Sequence, residues 1–458
     1  MKKIILLLIL PLTALMAIDF TMTGGNPLIK MDTSIPIGSD KTTYDREVTV
    51  NSILQLENTV TNATVPTRII ITNGIYNSSK ITLKGNYSAV HIVAQTRGKV
   101  IIQRRIDIYG DHITIEGMLF NGGTSGANKN DGGFIWVYGT DCKILRNAWN
   151  DSEAWQWIRV DEHAYRCEIG YNSFINKTNN ANNSSTQSMQ VLQCRFDYQD
   201  STPAEHYVHH NYFQNIVKGN QNNGYSCVNF ITKKDGKDAA TKGAQHNLRL
   251  EYNLFEEVNG EGEIVSIKAN KASVLHNTFK NSKGGFNLRF GNNSIVHGNS
   301  IYNCNAGITV SGENHKITNN YIENTPGEGI LVRDGDNYWA GYATVKNVDI
   351  SSNIIKNCKK AGMRFGKLKH PSASEQYPPQ ATTVSNNILF QGDGDYLIKV
   401  GDYTENPIGG IKFSKNIYDG SVSPILPLSG FISSQTPQNT ENNNLIMTTN
   451  TTGPNAKN

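Results

Sequence analysis

From residue 147 onward, polar and apolar positions follow one short recurring pattern: an asparagine, a variable residue, then an aromatic or aliphatic one. The copies read Asn172-Ser173-Phe174, Asn211-Tyr212-Phe213, Asn253-Leu254-Phe255 and Asn277-Thr278-Phe279. They continue as Asn299-Ser300-Ile301, Asn320-Tyr321-Ile322, Asn353-Ile354-Ile355, Asn387-Ile388-Leu389 and Asn416-Ile417-Tyr418, with Gly117-Met118-Leu119-Phe120 as an earlier, imperfect copy. The central spacings are 24, 22 and 21 residues, and the others run from 29 to 42. A regular minimum period with longer copies marks a solenoid carrying inserted loops at particular corners. Each period holds two or three β-prone runs, such as Ser273-Val274-Leu275 and Phe286-Asn287-Leu288-Arg289, and no stretch sustains a capped helical period. The pattern predicts an all-β chain: a right-handed parallel β-helix whose stacked coils bury the inward side chains. In it the recurring asparagines stack at a turn and pair their amides with the next coil. The long copies between 172 and 253 would project loops over one face and build a substrate cleft there.

Composition agrees with this picture. Asn accounts for 55 of 458 residues and Gly for 41, a density of turn formers that goes with many tight turns and short strands. With 18% charged and 38% hydrophobic residues, the chain is too apolar to be disordered and too polar to be a multi-span membrane protein. A net charge of +4 makes no electrostatic case for nucleic acid, although a local cleft can still accept a polyanion. Met1-Lys2-Lys3 followed by the apolar run from Ile4 to Ala17 reads as a signal peptide over residues 1–17, too short for a membrane span. The expectation is a secreted or periplasmic protein with no stable membrane insertion. One β-helix domain would cover 18–424, residues 19–60 would lead in and cap the first coil, and a Ser/Thr/Asn-rich tail would occupy 425–458. Stacked coils bury their own edges, so a monomer is expected. Cys142, Cys167, Cys194, Cys227, Cys304 and Cys358 form no CxxC pair and are expected as buried thiols. His209, His210 and His276 neighbour the repeat asparagines and are expected to pack in the coil rather than bind zinc.

One segment stands apart: Asn259-Gly260-Glu261-Gly262-Glu263-Ile264-Val265-Ser266-Ile267-Lys268. On a strand, Glu261 and Glu263 would face the same way. Two adjacent carboxylates repel, and they stay ionised together when a cation neutralises them. Oxygen ligands of this kind suit calcium. Arg289 follows Lys268 by 21 residues, about one coil, and neighbouring coils lie about 4.8 Å apart. Two cations at that distance repel each other, which favours the neutral amine that a general base requires. Lys268 is five residues after Glu263, so an unbroken strand would turn it to the other face; a bend is expected at Ser266-Ile267. A cation, a base and an arginine on one β-helix face suit β-elimination from a uronate polymer, in which the proton beside a carboxylate must be removed.

Gly260-Glu-Gly-Glu-Ile-Val-Ser-Ile-Lys268, with His276-Asn-Thr-Phe279 and Gly285-Phe-Asn-Leu-Arg-Phe-Gly-Asn292, resembles the core signature of polysaccharide lyase family six, which contains alginate lyases and chondroitinase B. The likeness extends over about residues 110 to 325, through Asn172–Asn179, His210–Phe213, Glu251–Glu256, Gly307–Gly312 and Asn319–Ile322. It implies a calcium site from Glu261, Glu263 and an upstream asparagine. It also implies Lys268 as Brønsted base and Arg289 as the acid or its assistant. For the asparagine, Asn223 in Asn222-Asn223-Gly224 is the first choice and Asn229 the alternative. The sequence departs from the family at two places. Phe290 stands where a histidine usually follows the arginine, and Thr309 stands where many members carry an arginine. Lys177, Arg333 and Arg364 are further candidates for holding substrate carboxylates along the cleft.

The expectation is therefore a calcium-assisted lyase acting on an anionic polysaccharide, alginate. No dense basic cluster suited to a sulfated chain is present in the sequence. The alternatives are a dermatan sulfate lyase, a β-helix epimerase or pectate lyase, and a non-catalytic carbohydrate-binding β-helix.

Overall fold

Three parallel sheets run through the described residues, and successive strands visit each in turn. This computed structural model describes residues 43–85, 88–122, 133–178, 189–197, 199–218, 224–232, 246–336, 342–367, 376–401, 409–420 and 430–433. One 14-stranded sheet runs from Arg46–Val50 to Ile411–Ser414 and another from Gly74–Tyr76 to Phe431–Ser433. A 12-stranded sheet from Ile81–Leu83 to Ile398–Val400 completes the right-handed parallel β-helix. The second of these sheets thus continues to Phe431–Ser433, past residue 424, by pairing with Asn416–Asp419. Residues 1–17, read as a signal peptide, lie outside the described residues. No described helix is long and apolar enough to cross a membrane.

The repeat motif explains the coil. Its third residue points inward, and Phe120, Trp149, Phe174, Phe213, Phe255 and Phe279 stack along the axis with ring centroids 4.6–4.8 Å apart. Its asparagine turns into the corner. The Asn277 side chain donates to Asn299 Oδ1 at 3.0 Å, and the Asn277 backbone N–H donates to the same oxygen at 2.9 Å. This arrangement repeats from Asn147 through Asn172, Asn211, Asn253, Asn277, Asn299, Asn320, Asn353 and Asn387 to Asn416. Met118, in the imperfect copy, supplies only its backbone N–H, to Asn147 Oδ1 at 3.0 Å. The residue before each ladder asparagine is left-handed, as at Tyr171, His210, Tyr252 and His276, and these four rings stack 4.9–5.1 Å apart. A second, exposed column, Asn281, Asn303, Asn324 and Asn357, is also left-handed, a conformation asparagine tolerates better than most residues.

The sequence reading missed one helix. Ile53–Thr61 begins at Ser52, whose hydroxyl accepts from the Gln55 N–H at 3.3 Å, and it buries Ile53, Leu56 and Val60 against the first coils. It caps the core within the segment read as a lead-in, where the strand Arg46–Val50 already belongs to the first sheet. All six cysteines are buried and unpaired.

Candidate active site

The 12-stranded sheet carries the site on its outer face. In the strand Glu263–Lys268, Ile264, Val265 and Ile267 all enter the core. Two consecutive inward residues require a bulge, and the register to Gly285–Phe290 shifts between Glu263 and Val265. The bulge, rather than a bend at Ser266-Ile267, places Glu263, Ser266 and Lys268 on one face. A second shift follows: Lys268 pairs with Phe290, not with Arg289, which becomes the extra residue between Leu288 and Phe290. Gly291 ends this strand at φ 98°, where an added Cβ would lie 2.2 Å from the Ala269 carbonyl oxygen; only glycine fits that closure.

Glu261 lies in the turn before the strand. Gly260 lets this turn press on the preceding coil, since a Cβ there would lie 2.2 Å from the Tyr225 carbonyl oxygen. The Gly224 N–H donates to Glu261 Oε2 at 2.8 Å. Burial holds the Glu261 carboxyl above the usual carboxylate range, and the charge of Glu263 adds to the effect.

Asn287 and Arg289 alternate with the inward Phe286 and Leu288, so both face the site. Arg289 Nη1 lies 3.5 Å from Glu263 Oε1, and Asn287 Nδ2 donates to the same oxygen at 2.9 Å. The second Asn287 N–H reaches the Tyr342 hydroxyl at 3.1 Å. The Tyr342 ring lies beneath two guanidinium groups, with centroid distances of 4.5 Å to Arg333 and 5.9 Å to Arg289.

Three neighbouring rungs of the sheet, Asn229, Ser266 and Asn287, stand in register on this face. Asn229 Oδ1, Ser266 Oγ and Asn287 Oδ1 are buried, with no hydrogen-bond partner among the described residues. Buried oxygens left unsatisfied beside two carboxylates form a donor set that fits a hard cation. Asn229 is the alternative named for the third ligand; Asn223 lies outside the described residues.

The other candidates separate. Arg333 joins the site through Tyr342. Arg364 is turned to Glu328, 3.3 Å away, which also meets Lys367 at 3.0 Å. Lys177 does not share the face of the site. It is fully buried in a different sheet, its ammonium donates to the Ala154 carbonyl oxygen, and it lies 5.4 Å from the Trp157 ring centroid. A substrate carboxylate cannot reach it there. The sequence reading missed Asn287 and Tyr342. Alternation with Phe286 and Leu288 was an available signal for Asn287. For Tyr342, beyond the last strand of its coil, there was none.

A family model described as Chondroitinase B matches residues 50–455. The chain belongs to the chondroitinase B family, polysaccharide lyase family six. Among solved structures, the family-six alginate lyase AlyGC matches with a TM-score of 0.70 and 23% identity, over 85% of this chain and 53% of that one. This chain therefore spans about half the length of that relative. A mannuronic acid specific family 6 lyase from human gut microbiota matches with a TM-score of 0.69 and 21% identity, over 86% and 91%. A family-six polysaccharide lyase from Pseudopedobacter saltans matches with a TM-score of 0.64 and 21% identity, over 90% and 96%. At these identities the likeness is one of fold. No curated protein matches the chain. The two positions read in the sequence as departures from the family pattern lie at the site. Phe290 is buried in register with Lys268, and Thr309 is half-buried in register with Asn287 and Leu331.

Proposed function

We propose that this family member is an exported, monomeric lyase that cleaves alginate by β-elimination. The observation that carries the reading is the meeting of Arg289 with Glu263 on the face that also presents Lys268. The Lys268 amine takes the proton from C5 of a uronate. As the C4–O4 bond breaks, the electron pair of the former C5–H bond forms the C4=C5 double bond. Arg289, the acid, gives a proton to the leaving oxygen, which departs as the hydroxyl of the new chain end, and exchange with water afterwards returns a proton to Arg289 and removes one from Lys268. Asn287 and Glu263 hold Arg289 in place, and the surrounding buried wall keeps water from the amine. Calcium bound by Glu261, Glu263 and Asn229 or Asn223 supplies neutralisation of the substrate carboxylate, which lowers the cost of charge developing at C5. Arg333 and Arg364 are the proposed contacts for neighbouring uronates. Support for alginate comes from the relatives named above as an alginate lyase and a mannuronic acid specific lyase. The charged and then apolar stretch from Met1 to Ala17 supports export.

The test is incubation of the purified protein with alginate, dermatan sulfate and pectate, with calcium or with chelator, while following the ultraviolet absorbance of unsaturated uronate. Absorbance should rise on alginate and stay flat for Lys268→Ala. A rise on dermatan sulfate alone would move the substrate to the sulfated branch. No rise on any polymer would leave an epimerase or a binding protein.

A further inference from the structure

We infer that Tyr342 is a positioning residue that holds Arg289 and Arg333 in working order, an inference that rests on the lyase reading above. These two arginines sit on strands two steps apart in the sheet, Gly285–Phe290 and Glu328–Arg333, with Ile308–Val310 between them. Neither pairs directly with the other in the ladder. Tyr342 bridges them: its ring takes Arg333 at 4.5 Å and Arg289 at 5.9 Å. The negative face of the ring steadies both cations where their mutual repulsion would drive them apart. Its hydroxyl accepts from Asn287, whose other N–H holds Glu263 Oε1. One side chain therefore touches the arginine opposite the base, the arginine further along the cleft and the amide that orients a carboxylate.

The backbone around Tyr342 is anchored to the same strand. Ser311 Oγ donates to the Ala343 carbonyl oxygen at 2.9 Å, and it also lies 3.1 Å from the Arg289 carbonyl oxygen. The Asp336 N–H donates to the Tyr342 carbonyl oxygen at 3.2 Å, and Gly335–Asp336 pairs antiparallel with Gln376–Tyr377. Tyr342 is 4% exposed, so it acts as a wall behind the guanidinium groups and not as a surface contact. The Phe290 ring also lies near Arg289, with its centroid 5.5 Å from the guanidinium carbon. With a phenyl ring at that position, an aromatic residue brought in from outside the repeat supplies the polar contact to the arginine's surroundings.

The experiment compares Tyr342→Leu, Tyr342→Phe, Arg333→Ala and the double variant Tyr342→Leu/Arg333→Ala, each with its thermal midpoint. Tyr342→Leu should lower kcat/KM by about thirtyfold through both a lower kcat and a higher KM, while Tyr342→Phe, which keeps the ring, should lose about threefold. The double variant should lose less than the product of the single losses, because Arg333 is already released when the ring is gone. Parent kinetics in Tyr342→Leu, equal losses in the Phe and Leu variants, or a fully multiplicative double variant would each overturn the inference. If the parent turns over no polymer, the lyase reading fails by itself. The same cycle is then read from the Kd of an oligouronate by calorimetry, where an unchanged Kd in Tyr342→Leu, or no binding by the parent, overturns the role of Tyr342.

Discussion

The guanidinium of Arg289 reaches back one coil to Glu263, 3.5 Å from Oε1, and the same oxygen accepts from Asn287. Glu263 is thus gripped from the next coil, while Glu261 is held by the N–H of Gly224 in the preceding one. The carboxylate pair spans three coils. Calcium should therefore raise the thermal midpoint of the parent protein. Glu261→Gln and Glu263→Gln should each lose that rise and bind calcium at least about tenfold more weakly, since affinity follows the count of charged ligands. Calorimetric titration and a melting curve with and without calcium check this. A full calcium response in both variants would remove the metal role.

Phe290 is 2% exposed and lies opposite Lys268 in the ladder. Phe290→Ala should cost about 3–5 kcal/mol of stability, read from denaturant midpoints, and should reduce turnover more than the loss of folded protein accounts for. Turnover per folded molecule equal to that of the parent would show that the ring does not support Arg289.

The two asparagine columns should respond differently to substitution. Asn299 accepts from the backbone and the side chain of Asn277 and donates to Asn320 Oδ1 and to the Val274 carbonyl oxygen. Asn299→Ala strands several buried groups and should cost about 3–5 kcal/mol. Asn303 is exposed at φ 50°, so Asn303→Ala should cost about 1 kcal/mol, chiefly from left-handed strain. Urea melts of the two variants side by side give the comparison, and equal losses would contradict it.

Lys177 carries a pH signature. Burial pushes its amine down to about 7 from an ordinary 10.5. Between those values the unfolded chain binds a proton that the folded chain does not, so stability should climb as pH rises through this window. Below about 7 both states are protonated, and the buried charge weighs fully against the fold. Lys177→Met should flatten this slope and stabilise the protein most at neutral pH and below. Melting curves across the window test it, and a parallel offset at all pH values would rule it out.

The β-helix was legible because the asparagine and the aromatic two residues later each have a single place in a coil. One closes a corner through its amide, and the other stacks on its counterpart below. The meeting of Arg289 with Glu263 has a related cause, since a one-coil offset brings distant residues side by side, but the same ladder sets Lys268 against Phe290 and not against Arg289 as the spacing alone suggests. The local detail was less accessible. Ile264-Val265, two adjacent apolar residues, was the trace of the bulge that resolves the facing of Lys268, yet the pair looks the same in a regular buried strand. The helix Ile53–Thr61 spans too few turns for its spacing of Ile53, Leu56 and Val60 to stand out. Lys177 sits in a polar-looking stretch, and its burial depends on Trp157 and Ala154 from the neighbouring coil. Tyr342 reaches the arginines from beyond the strand, where no period applies.

The asparagine ladder also has a direction. In every step the coil nearer the N-terminus donates and the coil nearer the C-terminus accepts, and at the far end Gly430 offers its carbonyl oxygen to the Asn416 backbone N–H at 2.9 Å. The two ends of the solenoid are therefore chemically unequal. Cutting away the last coil exposes the Asn416 backbone N–H and weakens the hold on its amide, whereas cutting away the first idles the Asn147 amide oxygen and removes the Ile115 carbonyl oxygen from an Asn147 N–H that keeps the Leu145 carbonyl oxygen of its own coil. Shortening the chain from its C-terminal side should do the greater harm, and Gly430 acts as the terminator of a column of oriented amides.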